Sequence, residues 1–190
     1  MSRMDRMEAL QVLKRHITNE IVVGTYSTGF DWASITERPL NYFAVGAMGL
    51  GSSHGLGLAL ARPERKIVVL DGDGGLLMNL GTLVTIGKVA PKNLVHFVFK
   101  NNTYEANGGH PIPNTGVDFE TIARGAGIPN VATCKTVADF EKNIANWLTI
   151  DGPTFVCMEI EQGWLGRRDY SNMYSASRRQ ALKEALAAGA

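Results

Sequence analysis

Gly72-Asp73-Gly74 follows the apolar run Ile67-Val68-Val69-Leu70, and Asn101-Asn102 closes a second apolar run that begins at Leu94. A glycine-flanked carboxylate at the end of one strand and a carboxamide at the end of the next offer hard oxygen ligands on one edge of a parallel sheet. Mg²⁺ takes few protein oxygens and completes its shell with water and phosphate oxygens. The helix expected from about Leu76 would aim its free N–H groups at the same anion, and Gly74 and Gly75 would let the backbone approach it. Either half alone is ordinary: Asp-Gly is common turn chemistry, Asn pairs are common in loops, and the competing reading is a plain strand-to-helix turn. The spacing and the two preceding strands favour a magnesium-diphosphate site.

The elements that would hold these residues follow from the pattern of apolar positions. Met4, Met7, Leu10, Leu13 and Ile17 recur at helical steps and predict an amphipathic opening helix. A short β-rich run at Ile21–Thr25 and a turn-rich stretch around Thr28-Gly29 lead to a glycine-laden segment, 46–57, whose composition suits close approach to a ligand. Ser52–Ala61 reads as a buried helix stopped by Pro63, 67–71 as a strand, Leu76–Val89 as a helix stopped by Pro91, and 94–100 as a strand. Beyond these, 118–126, 136–149 and 176–188 read as helices and 154–160 as a buried strand. Strands alternating with helices predict an α/β fold, a parallel sheet with helices on both faces.

Bulk properties narrow the function. The 190 residues suit a single domain over 1–190, and 45% hydrophobic against 19% charged residues is ordinary for a globular chain. With 19 Lys and Arg against 18 Asp and Glu and no basic block, nucleic acid is not an expected partner. Cys134 and Cys157 lack C-x-x-C spacing and read as reduced structural thiols. No apolar run approaches the length of a membrane span and no signal peptide is visible, so the expectation is a cytoplasmic protein without a membrane partner.

A Gly-Asp-Gly turn followed, after one helix and the next strand, by an Asn pair resembles the diphosphate-binding domain of thiamine diphosphate (ThDP) dependent enzymes. The stretch Asn41–Gly75 is similar throughout to their 2-oxoacid decarboxylase branch, and MNLGTLVTIG at 78–87 resembles phosphonopyruvate and sulfopyruvate decarboxylases in particular. The resemblance covers roughly 20–160. It implies a ThDP-binding fold, ThDP and Mg²⁺ as cofactors, and a carbon-carbon lyase that releases CO₂ and an aldehyde from a small 2-oxoacid. By the same resemblance Asp73 and Asn102 ligate Mg²⁺ through side chains and Tyr104 through its carbonyl. Gly74 and Gly75 approach the diphosphate, Gly46-Ala47-Met48 grips the aminopyrimidine, and Met48 wedges the cofactor into its reactive shape. The glutamate that protonates the pyrimidine belongs, in this family, to a separate pyrimidine-binding domain. An α-type subunit supplying it, in a hetero-oligomer, is therefore expected.

The segment Thr103–Asn114 (TYEANGGHPIPN) is where such enzymes vary with substrate, and Gly-Gly-His at 108–110 departs from the Gly-Gly-Gln of phosphonopyruvate-type chains. Glu105 and His110 are candidate proton donors or carboxylate binders there; the bland alternative is a solvated loop. Arg167-Arg168-Asp169-Tyr170 could clamp an anionic group, while His16 and His96 read as structural. Four rival readings stand beside this one. Gly51-x-Ser53-x-Gly55 matches a hydrolase nucleophile elbow, though no strand leads into it. Gly49-x-Gly51 hints at a dinucleotide turn whose third glycine is misplaced. A ThDP-dependent carboligase, or a non-catalytic subunit of the same fold, would keep the same motif.

Overall fold

The computed structural model describes residues 3–46, 48–163, 168, 170, 171, 173 and 175–188. Its strands are β1 (Ile21–Gly24), β2 (Asn41–Phe43), β3 (Ile67–Gly72), β4 (Leu94–Lys100), β5 (Thr103–Tyr104), β6 (His110–Pro111), β7 (Asn130–Cys134) and β8 (Thr154–Glu159). Six of them form one parallel sheet in the order β2-β1-β3-β4-β8-β7, and β5 and β6 make a small antiparallel hairpin. The helices are α1 (Arg6–His16), α2 (Tyr26–Ile35), α3 (Gly51–Ala61), α4 (Asp73–Met78), α5 (Thr82–Val89), α6 (Phe119–Gly125), α7 (Val137–Thr149) and α8 (Ala176–Ala187).

Successive strand residues point to opposite faces of a sheet, and this sheet buries both. Ile67 and Val69 join a core with Leu56, Ala59, Leu83, Ile86 and Leu182, which places α3, α5 and α8 on one side. Val68 and Leu70 join Leu10, Leu13, Trp32, Phe140 and Ile144, which places α1, α2 and α7 on the other. The strands therefore read as unbroken apolar runs instead of alternating ones. On the second face Phe97 meets Phe140 and Trp147 edge-on, with centroids 5.5 and 6.2 Å apart. Each such aromatic pair adds about 0.5–1.5 kcal/mol beyond the area it buries. Helix starts are fixed locally: Asp5, Asp118 and Thr136 cap α1, α6 and α7 through their side-chain oxygens.

Strand order creates the site. From β1 the chain steps outward to β2 and then returns to the far side of β1 to lay down β3 and β4. The mouth between β1 and β3, at their carboxyl ends, is thus a topological switch point where loops diverge and a ligand can enter. α3 lies tight on β3 because Gly55 leaves no side chain where Val69 stands.

Three expectations about the elements change. Thr28-Gly29 lies inside α2 instead of a turn, since Gly29 lets the helix rest against Gly24 at the end of β1. The helix expected at 76–89 begins at Asp73 and is two helices, interrupted at Asn79, Leu80 and Gly81. β7 carries no unbroken apolar signal because it is an edge strand, and four of its five residues are only half-buried. Among the described residues no helix is long and apolar enough to cross a membrane.

Candidate functional site

A cavity of about 50 Å³ opens at the carboxyl ends of β1, β3 and β4, lined by Thr25, Asp71, Gly72–Gly75, Asn101, Thr103–Ala106, Met48, Arg6 and the first turn of α2. Two of the three non-glycine residues with positive φ among the described residues flank the cavity: Tyr26 (φ 37°) and Asn102 (φ 66°). Such backbone is retained where the surrounding structure over-determines it, as at binding sites.

Asp73 is 1% exposed. Its carboxylate accepts from the Gly74 N–H (2.9 Å) and the Asn102 N–H (2.7 Å). Burial pushes its pKa up to about 6, against the opposing pull of those N–H groups and of Lys100. A buried carboxylate raised by desolvation is one that a cation would stabilise. Around it the chain has no side chains to spare: a Cβ on Gly74 would strike the Tyr104 ring at 2.5 Å, and one on Gly75 would meet Asp71 at 2.8 Å. Gly72, at the mouth, faces open space. Among the described residues no group of three or more His, Cys, Asp or Glu could hold a metal. A single carboxylate with neutral oxygens fits Mg²⁺ that brings phosphate and water as its other ligands.

The Asn pair divides its labour in an unexpected way. Asn101 lines the cavity beside Asp73. Its Oδ1 accepts from the Thr103 N–H (2.9 Å) and hydroxyl (3.2 Å), and its Nδ2 donates to Glu105 (3.1 Å). Asn102, expected as a metal ligand, has its amide beside the Thr115 carbonyl (3.2 Å) and the Arg3 guanidinium (2.7 and 3.0 Å). Its backbone is left-handed, and its N–H donates to Asp73 (2.7 Å). Tyr104 contributes its ring to the cavity wall, while its carbonyl accepts from the Gly109 N–H (3.0 Å) in the β5–β6 turn.

Glu105 also lines the cavity, but as one member of an ion network. Its carboxylate receives Arg6 Nη1 (2.5 Å) and Nη2 (3.1 Å), both side chains being buried. Arg6 also donates from Nε to Asp31 on α2 (2.7 Å), and Asp31 pairs with Arg168 (2.8 Å). Arg168 lies over the Phe30 ring, whereas Arg167 and Asp169 of the expected anion clamp lie outside the described residues. His110 is exposed on β6, paired with Tyr104, and does not line the cavity. Met48 stands half-buried at the cavity wall; Gly46 is exposed at the rim with φ 96°, and Ala47 between them lies outside the described residues.

Sequence reasoning missed Arg6, Thr25 and Asp71. Arg6 left a signal: it falls on the same helical stripe as Leu10, Leu13 and Ile17, and a charge on an apolar stripe requires a buried partner. Asp71 is 1% exposed and held by the Thr25 hydroxyl (3.0 Å) and the Gly72 N–H (2.9 Å). Its other oxygen faces His96 Nε2 at 3.4 Å, too far for a well-formed hydrogen bond, and that buried pair underlies the cavity floor. Both cysteines are buried and free, and burial pushes the Cys134 and Cys157 thiols up to about 11 and about 12, consistent with unreactive structural groups. Ser53 lies within α3, bonded to Thr82 and Asn79, so no nucleophile elbow exists.

Residues 23–158 match the family described as "Thiamine pyrophosphate enzyme, C-terminal TPP binding domain". The chain belongs to that family. Its TPP-binding domain is 36% identical over 166 residues to phosphonopyruvate decarboxylase of Streptomyces viridochromogenes, covering 86% of this chain and 42% of that protein. It is 35% identical over 163 residues to sulfopyruvate decarboxylase subunit beta of Methanothermobacter thermautotrophicus, covering 84% of each. In fold it superposes on benzoylformate decarboxylase of Polynucleobacter necessarius with a TM-score of 0.70 at 21% identity, over 83% of this chain and 33% of that one. The TPP-binding domain therefore spans less than half of the phosphonopyruvate decarboxylase and most of the beta subunit.

Proposed function

We propose that this chain is the diphosphate-binding subunit of a ThDP- and Mg²⁺-dependent decarboxylase acting on a small 2-oxoacid that carries a second acidic group. The observation that carries the reading is the cavity at the sheet's switch point, where a buried carboxylate, a carboxamide and side-chain-free backbone converge. Asp73 would hold Mg²⁺, with the Asn102 side chain and the Tyr104 carbonyl as the partners the resemblance implies; the Asn101 oxygen is not free for it, since it accepts from both the Thr103 N–H (2.9 Å) and hydroxyl (3.2 Å). Gly74 and Gly75 would admit the diphosphate, and Met48 would press on the cofactor from the cavity wall. The bound cofactor supplies an electron sink for the bond that breaks as CO₂ leaves. The chain's own part is to orient it, to present the buried Asp73 carboxylate to its metal, and to hold the Thr103–Asn107 segment against the pocket.

The cavity opens at the carboxyl ends of the strands, which suits a site shared with a pyrimidine-binding subunit that contributes the glutamate. The beta-subunit name of a relative covered over 84% of its length points the same way. The resemblance at 78–87 and the names of the relatives motivate a sulfonate- or phosphonate-bearing substrate.

The test uses the left-handed backbone at Asn102. Asn102→Gly, which suits a φ of 66° and removes only the side chain, is expected to weaken Mg²⁺-dependent ThDP binding at least tenfold by titration calorimetry. Binding within about twofold of wild type would overturn the assignment.

A further inference from the structure

β3 outruns β1 at the cavity mouth. The ladder between them ends with Gly24 opposite Leu70, whereas Asp71 and Gly72 still pair with Val98 and Phe99 of β4. One more backbone bond, from the Thr25 N–H to the Leu70 carbonyl (3.0 Å), closes the seam. Beyond it the two strand ends are joined by side chains: the Thr25 hydroxyl lies 3.0 Å from Asp71 Oδ1. A threonine before a helix ordinarily turns its hydroxyl to cap the first turn. Thr25 is the N-cap residue of α2, yet its hydroxyl makes no capping bond there. That hydroxyl has a single proton. Of its two acceptors, Asp71 is nearer than the Leu70 carbonyl (3.2 Å) and carries a charge, so the carboxylate receives it.

The same two buried residues underlie both glycine-rich helix starts. A Cβ on Gly51, the first residue of α3, would meet the Thr25 methyl at 2.5 Å and Asp71 Oδ2 at 3.2 Å; one on Gly75, in the first turn of α4, would meet Asp71 Oδ1 at 2.8 Å. From its place on β3, Asp71 thus meets β1, α3 and α4, and its Oδ2 lies 3.4 Å from His96 Nε2 on β4. Threonine is stiff at χ1, so one rotamer sets the methyl on α3 and the hydroxyl on Asp71 together.

We infer that Thr25 and Asp71 are positioning residues for the cofactor cradle: their bond holds the ends of β1 and β3 at one spacing and, through Gly51 and Gly75, sets where α3 and α4 begin around it. The inference rests on the proposed cofactor site and requires neither side chain to touch the metal. A binding constellation needs its groups held to within about 0.5 Å, and backbone pairing between β1 and β3 no longer supplies that restraint past Leu70.

The test separates the hydroxyl from the methyl, and position from stability. Thr25→Val keeps the methyl on Gly51 and deletes the hydroxyl; Thr25→Ser does the reverse. Thr25→Val with Asp71→Leu removes both partners, a change that is nearly neutral for stability when shape is kept. ThDP is titrated calorimetrically at saturating Mg²⁺ in the complex with the pyrimidine-binding subunit, and the melting temperature of each cofactor-free protein is recorded alongside. Thr25→Val and the double variant are expected to bind about tenfold more weakly than wild type, and Thr25→Ser within about threefold of it. The double variant is expected to melt near wild type. Wild-type affinity in the double variant, equal losses in Thr25→Val and Thr25→Ser, or losses that track melting temperature overturn the positioning role. A wild-type complex that binds no Mg-ThDP removes the proposed site and this role together.

Discussion

Asp73 shows how a single residue can carry a cost that only a ligand repays. Its pKa, raised by burial from 3.8 to about 6, means the folded state binds a proton more tightly than the unfolded state. Stability therefore falls as pH rises through the interval between those values and stays low above it. A shift of this size opposes the folded, metal-free chain by on the order of 2–3 kcal/mol at neutral pH. Asp73→Asn removes the charge at constant shape, losing about 1 kcal/mol for one N–H that a single amide oxygen cannot retain. The metal-free variant is thus expected to melt higher than wild type, by roughly 2–8 °C in calorimetry, while losing Mg-ThDP-induced stabilisation. A variant that melts lower would show that the carboxylate is not penalised by its burial.

At the same scale, what could be read from the sequence depended on whether residue type reveals conformation. Gly72-Asp73-Gly74 was legible because glycines on both sides of a carboxylate, at the end of an apolar strand, mark backbone that has to stay bare. Asn101 and Asn102 were not separable, since asparagine tolerates left-handed backbone nearly as well as it offers an amide, and the φ of 66° at Asn102 leaves no mark in the sequence. Arg6 could be seen as misplaced on an apolar stripe, but its partners Asp31 and Glu105 stand 25 and 99 positions away.

At the scale of elements, apolar periodicity recovered most of the sheet and its covering helices because both faces are buried. It failed where burial is partial, as at β7, and where a short break costs little sequence, as at Asn79–Gly81 between α4 and α5. Close packing makes one helical glycine indispensable. Replacing an interior helix glycine with alanine ordinarily stabilises by up to about 1 kcal/mol. In α5, however, a Cβ on Gly87 would overlap the Ala126 carbonyl and the backbone that follows α6. Gly87→Ala is expected to destabilise by about 1–3 kcal/mol in urea unfolding, the usual cost of overpacking. A stabilised variant would mean that α5 and the α6 terminus can separate freely.

For the whole molecule, the consequence of an open site is dependence on what lies across its mouth. Cofactor bound at a hundred times its dissociation constant stabilises a fold by about 2.7 kcal/mol, or roughly 5–11 °C for a chain of this size. Mg-ThDP is expected to produce a melting shift of that order when the pyrimidine-binding subunit is present and a much smaller one without it. An equally large shift for the isolated chain would show that it binds the cofactor unaided and would remove the shared-site reading.

Met4 joins the sheet beside Ile160: its N–H bonds the Glu159 carbonyl and its carbonyl accepts the Glu161 N–H. That stitch sits next to Arg6, so the opening helix can reach its final place only after β8 exists. During synthesis, which delivers the chain from its N-terminus, Arg6 has to remain hydrated until Glu105 and then residues 159–163 have emerged. The pocket is consequently among the last parts to mature, and a chain stalled or cut before β8 would carry an intact Gly-Asp-Gly turn with no anchored wall beside it.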